Sequence, residues 1–281
     1  MKFTKMHGAG NDFIIVNNIE EKIPHEKFSY IAKTLCATHT SIGADGFMFV
    51  EKADSEDADY KMLFYNDDGT LGEMCGNGAR CIARYGYEFG LAGETQRIET
   101  TAGLVTGERI TEREYKIRLN DVYQMKLDIP VSVDGESYSV SYVELGNPGI
   151  PHAVVALDGL YSKDKDWLRE LGRKLRFYEG FPKGANVNFY EIQDDHVDEI
   201  TFERGVEDFT LACGTGTGSM VSVLTMKNLS DGNNVEVRVP GGKLYITAVK
   251  DNGRISELYL TGPTNIVAVG QVRDEDLQYD F

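Results

Sequence analysis

Cysteine, proline, tryptophan and long apolar runs are all scarce in this chain of 281 residues, which has four cysteines, seven prolines and one tryptophan. Four scattered cysteines are too few for the disulfide framework that holds small secreted domains together, so we interpret all four as thiols of a cytoplasmic protein. The apolar run Phe13–Val16 is far shorter than the core of a secretion signal. No stretch approaches the roughly eighteen apolar residues of a membrane span, and we expect no membrane partner.

Positive charge is also scarce. The chain carries 29 Lys and Arg residues against 45 Asp and Glu residues, a formal net charge of −16. Binding to a nucleic-acid backbone needs a basic surface that displaces counterions from phosphates, so this balance argues against a nucleic-acid partner. We interpret the acidity as a property of the solvated surface, and we expect the acidic runs at residues 53–59 and 193–199 to be solvated loops.

Short strands and a few helices are predicted along the whole chain, because alternating segments rich in Val, Ile, Tyr and Phe are typical of half-buried strands. The predicted strands are Phe13–Val16, Gly46–Val50, Tyr60–Tyr65, Tyr115–Leu119, Ser139–Leu145, Ala153–Leu157, Val187–Ile192, Glu199–Phe202, Val235–Val239, Lys243–Val249 and Glu257–Thr261. The predicted helices are Glu26–Ala37, Ala79–Phe89, Lys165–Leu175 and Ser219–Lys227. The last helix is apolar almost all round, and a buried helix wrapped by antiparallel strands indicates an α+β domain.

A glycine-rich motif occurs twice. The chain reads EMCGNGARC at 73–81 and LACGTGTGS at 211–219, so Cys75 and Cys213 each open a Cys-Gly-x-Gly sequence, 213 − 75 = 138 residues apart and almost half the chain. Upstream, Asn66 and Arg204 each lie nine residues before the motif cysteine (75 − 66 and 213 − 204). A repeat with this period predicts two pseudo-equivalent domains, each delivering one cysteine to the start of its central helix.

The position of these cysteines suggests acid–base chemistry. A helix N-terminus presents unpaired N–H groups and the positive end of the helix dipole, which bind anions such as a carboxylate. Glycine there lets a ligand approach the backbone, and the same field favours thiolate over thiol, lowering the cysteine pKa. A thiolate and a thiol could remove a proton from one face of a carbon and return one to the other face. This chemistry inverts a stereocentre without a cofactor or a metal, and its reverse exchanges the roles of the two groups.

With these motifs, the chain resembles the diaminopimelate epimerases, the pyridoxal-independent enzymes that interconvert LL- and meso-diaminopimelate on the route to lysine and peptidoglycan precursors. The resemblance covers essentially the whole chain. The matching motifs are KMHGAGNDFIIV (5–16), SIGADG (41–46), YNDDGTLGEMCGNGARC (65–81), GNPGIPHAVV (146–155), GANVNF (184–189), FERGVEDFTLACGTG (202–216), PGGKL (240–244) and LTGP (260–263).

The resemblance implies two pseudo-symmetric α+β domains, each a barrel-like, mostly antiparallel sheet around a central helix, and commonly a homodimer. We expect an N-terminal domain over residues 1–119, to which residues 265–281 return, and a C-terminal domain over residues 120–264. The site would lie where the two domains face each other.

The resemblance also assigns roles to individual residues. Cys75 and Cys213 would be the acid–base pair, helped by His152 and Glu203 as groups that polarise the reacting centre. The reacting carboxylate would be held by the backbone amides of Gly76, Asn77, Gly214 and Thr215, with Asn11 at the same end of the substrate. The remote amino-carboxylate would be held by Asn66, Asn186, Glu203 and Arg204.

Three departures from the family pattern bear on the substrate. Either Ile150 or Asn147 takes the place of a substrate-binding asparagine, Phe209 replaces an acidic residue, and Pro263 replaces a glutamate. These departures keep open an alternative, a racemase of another amino acid on the same fold. An oxidoreductase with a dinucleotide-binding loop is disfavoured because Ser219 occupies the position of the third glycine. A thiol redox protein or cysteine hydrolase leaves the duplicated motif unexplained.

Overall fold

The computed structural model describes residues 1–72, 76–273, 275 and 277, and Cys75 lies outside these described residues. The chain divides into two compact units. Unit 1 comprises Met1–Ile117 and the C-terminal residues from Gly262, and unit 2 comprises Arg118–Thr261. None of the helices in the described part of the chain has the length and apolar character needed to cross a membrane.

The elements alternate between strands and a small number of helices. Through the first part of the chain they are β1 (Lys2–Gly8), β2 (Asn11–Asn17), α1 (Asn18–Glu21), α2 (Phe28–Cys36), β3 (Gly46–Glu51), β4 (Tyr60–Asn66), α3 (Gly76–Glu88), β5 (Thr95–Thr100), β6 (Gly103–Arg109) and β7 (Glu114–Arg118). They continue as β8 (Val122–Val133), β9 (Glu136–Leu145), β10 (Ile150–Ala156), α4 (Lys165–Arg176), β11 (Asn186–Ile192), β12 (Val197–Glu203), β13 (Asp208–Thr210), α5 (Gly214–Met226), β14 (Val235–Val239), β15 (Gly242–Asp251), β16 (Arg254–Pro263) and β17 (Asn265–Gln271).

The two units share one strand order and one set of strand directions. In unit 1 the order is β17-β1-β2-β3-β4-β5-β6-β7, with parallel pairs at β2/β3 and β4/β5 and antiparallel pairs elsewhere. In unit 2 the order is β8-β9-β10-β11-β12-β14-β15-β16, with parallel pairs at β10/β11 and β12/β14. Each of the eight strands in one order therefore has a counterpart in the other, and the predicted α+β fold with two pseudo-symmetric domains is confirmed.

Each unit packs its sheet around one helix. Helices α3 and α5 have thirteen residues each. Residues 76–86 of α3 and 214–225 of α5 are all buried. Helix α3 contacts β1, β2 and β6, and α5 contacts β9, β10, β11 and β15. Both helices begin directly after their motif cysteine, so the predicted starts at Ala79 and Ser219 are too late.

The late predicted starts have a physical cause. Glycine is a poor helix former, which delays a start predicted from propensity, but a buried helix draws its stability from packing. A Cβ on Gly216 would lie 2.1 Å from Asn188 Nδ2, and one on Gly218 would lie 2.7 Å from Leu119 Cδ1. The glycines of α5 therefore admit neighbouring side chains of unit 2. The predicted helix at Glu26–Ala37 also differs, because α2 begins at Phe28 after a 3-10 turn.

The strand registers give each position in one unit an equivalent in the other. Phe13 lies opposite Gly46 in the β2/β3 pair, and His152 lies opposite Asn186 in the β10/β11 pair. After β4, Tyr65 pairs with Leu71 across five intervening residues; after β12, Phe202 pairs with Phe209 across six. Asn66 is therefore equivalent to Glu203. The sequence analysis matched Asn66 with Arg204 because each lies nine residues before a motif cysteine. Unit 2 has one additional residue in the turn after β12, so this match is wrong by one position.

Candidate active site

The predicted site residues of unit 2 lie on or directly after strands β10, β11 and β12, or at the start of α5. His152 is the third residue of β10, Asn186 begins β11, Glu203 ends β12, and Arg204 follows Glu203 directly. Cys213 is the N-cap residue of α5, so Gly214 and Thr215 form the first turn of that helix. Because β10/β11 and β11/β12 are neighbouring pairs, these strand residues belong to one region of the unit.

The Cys213 side chain is buried, with 8% of its surface exposed, and its Sγ lies 3.6 Å from Thr215 Oγ1. Burial raises the pKa of this thiol well above its ordinary value, and the Glu203 carboxylate raises it further. Hydrogen bonds from the Thr215 side chain and the Gly216 backbone N–H act in the opposite direction and are outweighed. The expected lowering of the pKa at this helix start is therefore wrong for Cys213, which is a neutral thiol.

Asn186 and Arg204 are joined through the backbone. The Arg204 N–H donates to Asn186 Oδ1 at 2.8 Å, and Asn186 Nδ2 donates to the carbonyl of Pro151 at 3.2 Å. The Arg204 guanidinium donates from Nη1 to the carbonyl of Lys183 at 3.2 Å. Asn186 thus links the start of β11 to Pro151 on β10 and to the backbone of Arg204 after β12. These bonds fix the position of the backbone that carries the half-exposed Arg204 side chain.

His152 is fully buried and uncharged. Burial lowers its pKa from 6.5 to about 4, and the Arg204 cation contributes in the same direction. Its Nδ1 lies 3.0 Å from Asn188 Oδ1, whereas its Nε2 has no hydrogen-bond partner among the residues that the structure describes. At neutral pH the ring therefore carries one proton and one unused lone pair.

In unit 1, three predicted residues lie together. Asn77 Nδ2 donates to Asn11 Oδ1 at 3.4 Å, and Asn11 Nδ2 donates to Asp45 Oδ2 at 2.7 Å. Fully buried Arg80 donates to Asn77 Oδ1 at 3.0 Å and to the Gly76 carbonyl at 3.4 Å. The first turn of α3 is thus tied to the start of β2.

Asn66 ends β4 and donates to Thr70 Oγ1 at 2.9 Å, within its own hairpin. Cys75, the other predicted acid–base group, lies outside the described residues.

Four buried polar residues of unit 2 escaped the sequence analysis. Asn188 is fully buried, and its Nδ2 donates to Glu199 Oε1 at 3.1 Å and to Thr201 Oγ1 at 2.8 Å. Glu199 Oε2 lies 2.5 Å from Thr217 Oγ1, and Glu199 is also fully buried. The acidic run 193–199 was expected to be a solvated loop, and this is wrong for Glu199, which faces the interior from β12. Two signals were available, namely the GANVNF motif for Asn188 and the fourth position of GTGTG for Thr217.

The comparisons with known proteins agree with this geometry. A family model described as diaminopimelate epimerase matches residues 3–121 and 145–267. The diaminopimelate epimerase of Aquifex aeolicus is 36% identical over 99% of this chain and all of its own length. That of Archaeoglobus fulgidus is 37% identical over 99% of both chains.

The chain belongs to the diaminopimelate epimerase family.

Solved structures of more distant proteins share the fold. A probable proline racemase from Agrobacterium radiobacter K84 superposes with a TM-score of 0.68 at 16% identity, over 99% of this chain and 94% of that one. A PhzF-family protein from Enterococcus faecalis gives 0.68 at 15% identity, over 97% and 99%. At these identities the likeness concerns the fold.

The strand registers show which residue of unit 2 is equivalent to Asn11 of unit 1. Asn11 begins β2 and Ile150 begins β10, and both lie two residues before the equivalent Phe13 and His152. Ile150, and not Asn147, therefore occupies in unit 2 the position of Asn11. Ile150 has no polar side-chain group, so unit 2 lacks the amide that unit 1 has there.

Proposed function

We propose that this protein interconverts LL- and meso-diaminopimelate by proton transfer at the α-carbon, with Cys75 and Cys213 as the two acid–base groups and without a cofactor. The observation that carries the proposal is the match to diaminopimelate epimerases along nearly the whole chain, with each motif cysteine placed directly before a buried central helix. The structure describes the helix after Cys75, although Cys75 itself lies outside the described residues.

Before the substrate binds, the two cysteines would differ in protonation state. Inversion requires that one group removes the α-proton while another delivers a proton to the opposite face of the same carbon. Cys213 is a neutral thiol because burial and the Glu203 carboxylate raise its pKa, so it enters as the proton donor. Cys75 then enters as the thiolate base. After one turnover the roles are exchanged, and the opposite epimer is the substrate of that form.

The starts of α3 and α5 would stabilise the charge that develops during proton removal. As the proton leaves, negative charge spreads from the α-carbon into the neighbouring carboxylate. Gly76 and Asn77 lie in the first turn of α3, and Gly214 and Thr215 lie in the first turn of α5. The first backbone N–H groups of a helix are not used by the hydrogen-bond ladder of the helix, so they suit a bound anion. Such fixed donors commonly supply the largest part of catalysis.

The remaining predicted residues would bind the substrate and polarise the reacting centre. Arg204 suits the remote carboxylate, with which a guanidinium forms a charge-assisted pair. Asn66, Asn186 and Glu203 would complete that end, and Asn11 would contact the reacting end. His152 is buried and neutral, so it would act through its unused Nε2 lone pair as a proton acceptor.

The test is hydrogen exchange in D2O. Wild-type protein incubated with LL-diaminopimelate should form the meso isomer and acquire deuterium at the inverted carbon. Cys75→Ala and Cys213→Ala should each abolish inversion. Cys36→Ala is the matched control, because Cys36 is a buried core cysteine on α2 and should leave the rate unchanged. Inversion retained by either motif-cysteine variant would refute the two-thiol mechanism.

A racemase of another amino acid is the second candidate, and Ile150 at the position equivalent to Asn11 favours it. A panel of LL-diaminopimelate, lysine, ornithine, glutamate and histidine, scored for α-proton exchange, separates the two. Exchange that is fastest with any amino acid of the panel other than diaminopimelate would favour the racemase.

We also propose that the protein is a cytoplasmic homodimer. Support for the compartment comes from Cys36 and Cys213, which are free thiols. Support for the dimer comes from β17, which in the described part of the chain pairs with β1 alone. It exposes Val267 and Val269 by 55% and 65%. An edge strand with exposed apolar side chains is a surface that a second copy would cover.

A further inference from the structure

A fully connected group of polar side chains lies inside unit 2. We call it the buried polar cluster, and it consists of His152, Asn188, Glu199, Thr201 and Thr217. Thr201 is 3% exposed and the other four are fully buried. One end of the cluster is His152 on β10, and the other end is Thr217, whose Oγ1 lies 3.0 Å from the carbonyl of Cys213. The cluster thus joins two of the predicted catalytic residues.

Folding does not require polar residues at these five places. Unit 1 has the same strand order and directions, and its equivalent positions are Phe13, Met48, Met62, Phe64 and Ala79. All five are apolar and buried. Burying amide and carboxyl groups costs free energy that burying methionine or phenylalanine does not. A duplicated framework that is apolar in one half and polar in the other indicates a role for the polar version in chemistry.

The donors and acceptors of the cluster fix the proton on His152. Whether Glu199 is ionised or carries a proton on Oε2 toward Thr217, its Oε1 has no hydrogen and accepts from Asn188, so the amide nitrogen of Asn188 faces Glu199. The amide oxygen of Asn188 then faces His152 and accepts from Nδ1–H. Nε2 is left without a proton. Thr201 alone would not decide this, because a hydroxyl accepts from or donates to either end of an amide.

The other oxygen of the Glu199 carboxyl, Oε2, contacts Thr217 in the first turns of α5. Thr217 has one hydroxyl hydrogen and two neighbours, Glu199 Oε2 and the Cys213 carbonyl. Both contacts are satisfied when Glu199 carries the proton, donates to Thr217, and Thr217 donates to Cys213. Burial supports this state by raising the pKa of Glu199 to about 7.

The titratable groups that face Glu199 are few. Among the described residues they are Cys213 on α5, Tyr161 in a 3-10 turn at Leu160–Ser162, Tyr190 opposite Glu199 on β11, and His152 beyond Asn188.

We propose that Glu199 is a positioning residue for the epimerisation. Through Asn188 it holds His152 in the Nδ1–H form with Nε2 as the proton acceptor, and through Thr217 it holds the backbone carbonyl of Cys213. The effect of Glu199 on catalysis, as inferred here, rests on the proposed function. The form of His152 itself is measurable without any activity.

The test compares two variants of Glu199. Glu199→Gln keeps both contacts, because its amide oxygen can accept from Asn188 and its amide nitrogen can donate to Thr217. Glu199→Met removes both and inserts the side chain that unit 1 has at the equivalent position, Met62, so it should fold. The ring nitrogens of 15N-histidine-labelled protein report which nitrogen is protonated, and loss of one signal set in His152→Phe assigns them.

We expect Glu199→Gln to keep the Nδ1–H form and kcat within about threefold of wild type. We expect Glu199→Met to populate the Nε2–H form and to lower kcat by about tenfold or more, with KM nearly unchanged. An unchanged His152 form in Glu199→Met would overturn the inference whatever kcat does, as would a Glu199→Gln variant as impaired as Glu199→Met. If wild type does not epimerise diaminopimelate, the proposed function fails while the nitrogen spectrum still decides the role of Glu199.

Thr217→Val tests the second contact, and Thr225→Val is its matched control. Both threonines lie on α5, are buried, and bond to the carbonyl four residues earlier, but only Thr217 contacts Glu199. We expect Thr217→Val alone to lower kcat, by about tenfold, with His152 still in the Nδ1–H form. Equal rates in the two variants would refute this part of the inference.

Discussion

The carboxyl of Glu199 should make the protein less stable as pH rises, and Glu199→Gln should remove this dependence. Burial raises the pKa of Glu199 from 4.5 to about 7 in the folded chain. The folded chain therefore binds this proton more tightly than the unfolded chain does. The stability that follows is fully present below pH 4.5 and is lost as pH rises through about 7.

The size of the effect follows from the two pKa values. A tenfold difference in proton affinity is worth about 1.4 kcal/mol, so the change from 4.5 to about 7 corresponds to about 3 kcal/mol. Glutamine has the same shape and does not ionise. The free energy of unfolding of Glu199→Gln minus that of wild type should therefore rise by about 3 kcal/mol between about pH 4 and about pH 8.

Urea unfolding across this pH range measures the difference. Trp167, the single tryptophan, lies on α4 in the same unit as Glu199, so its fluorescence follows the relevant unit. Glu191→Gln is the control of opposite sign, because backbone N–H groups of Gly159 and Leu160 lower the pKa of Glu191. Its difference from wild type should fall as pH rises toward 4.5. A flat Glu199→Gln difference would refute the account of a buried carboxyl whose pKa is raised by burial.

Three further predictions use other parts of the structure. His152→Phe should show a pH dependence of opposite sign, because burial lowers the pKa of His152 from 6.5 to about 4 and so makes the wild-type protein more stable as pH rises. The variant-minus-wild-type difference in unfolding free energy should therefore fall by about 3 kcal/mol as pH rises from about 4 to 6.5 in the same titration. Gly216→Ala should cost about 1–3 kcal/mol in urea unfolding because its Cβ meets Asn188, whereas Gly93→Ala, which has open space, should change little. Val269→Asp should halve the mass seen by light scattering if β17 forms the dimer, and an unchanged dimer would contradict that interface.

The framework was largely predictable from the sequence because its buried strands alternate. Where alternation failed, strands were missed. In β5 the interior positions are Gln96, Ile98 and Thr100, so the buried face is mostly polar. Gln96 is accommodated because it donates to the carbonyl of Ala83 at 2.7 Å and accepts from the Tyr60 hydroxyl at 2.7 Å. Such compensation between distant segments leaves no local pattern in the sequence. Strands β1, β6, β8, β13 and β17 were not predicted either.

The site was predictable to the extent that its residues stand in motifs. Their electrostatics were not, because a pKa depends on what surrounds the group. A helix start lowers the pKa of a cysteine in general, but the Cys213 thiol is buried near Glu203 and Glu199, and these effects prevail. Glu199 was missed for a related reason: a carboxylate in an acidic run is usually solvated, and only the fold brings Asn188 and Thr217 to it.

The division of the chain has a consequence for its synthesis. Unit 2 is one continuous stretch, whereas unit 1 includes both ends of the chain, and β17 pairs with β1 while the Val272 N–H donates to the Met1 carbonyl. Unit 2 can be completed on the ribosome, but the first hundred residues must wait for the last twenty before their sheet has its final strand. A circular permutant that begins at Gly262 and links the old termini would supply that strand first, and its N-terminal unit should fold before the other is made.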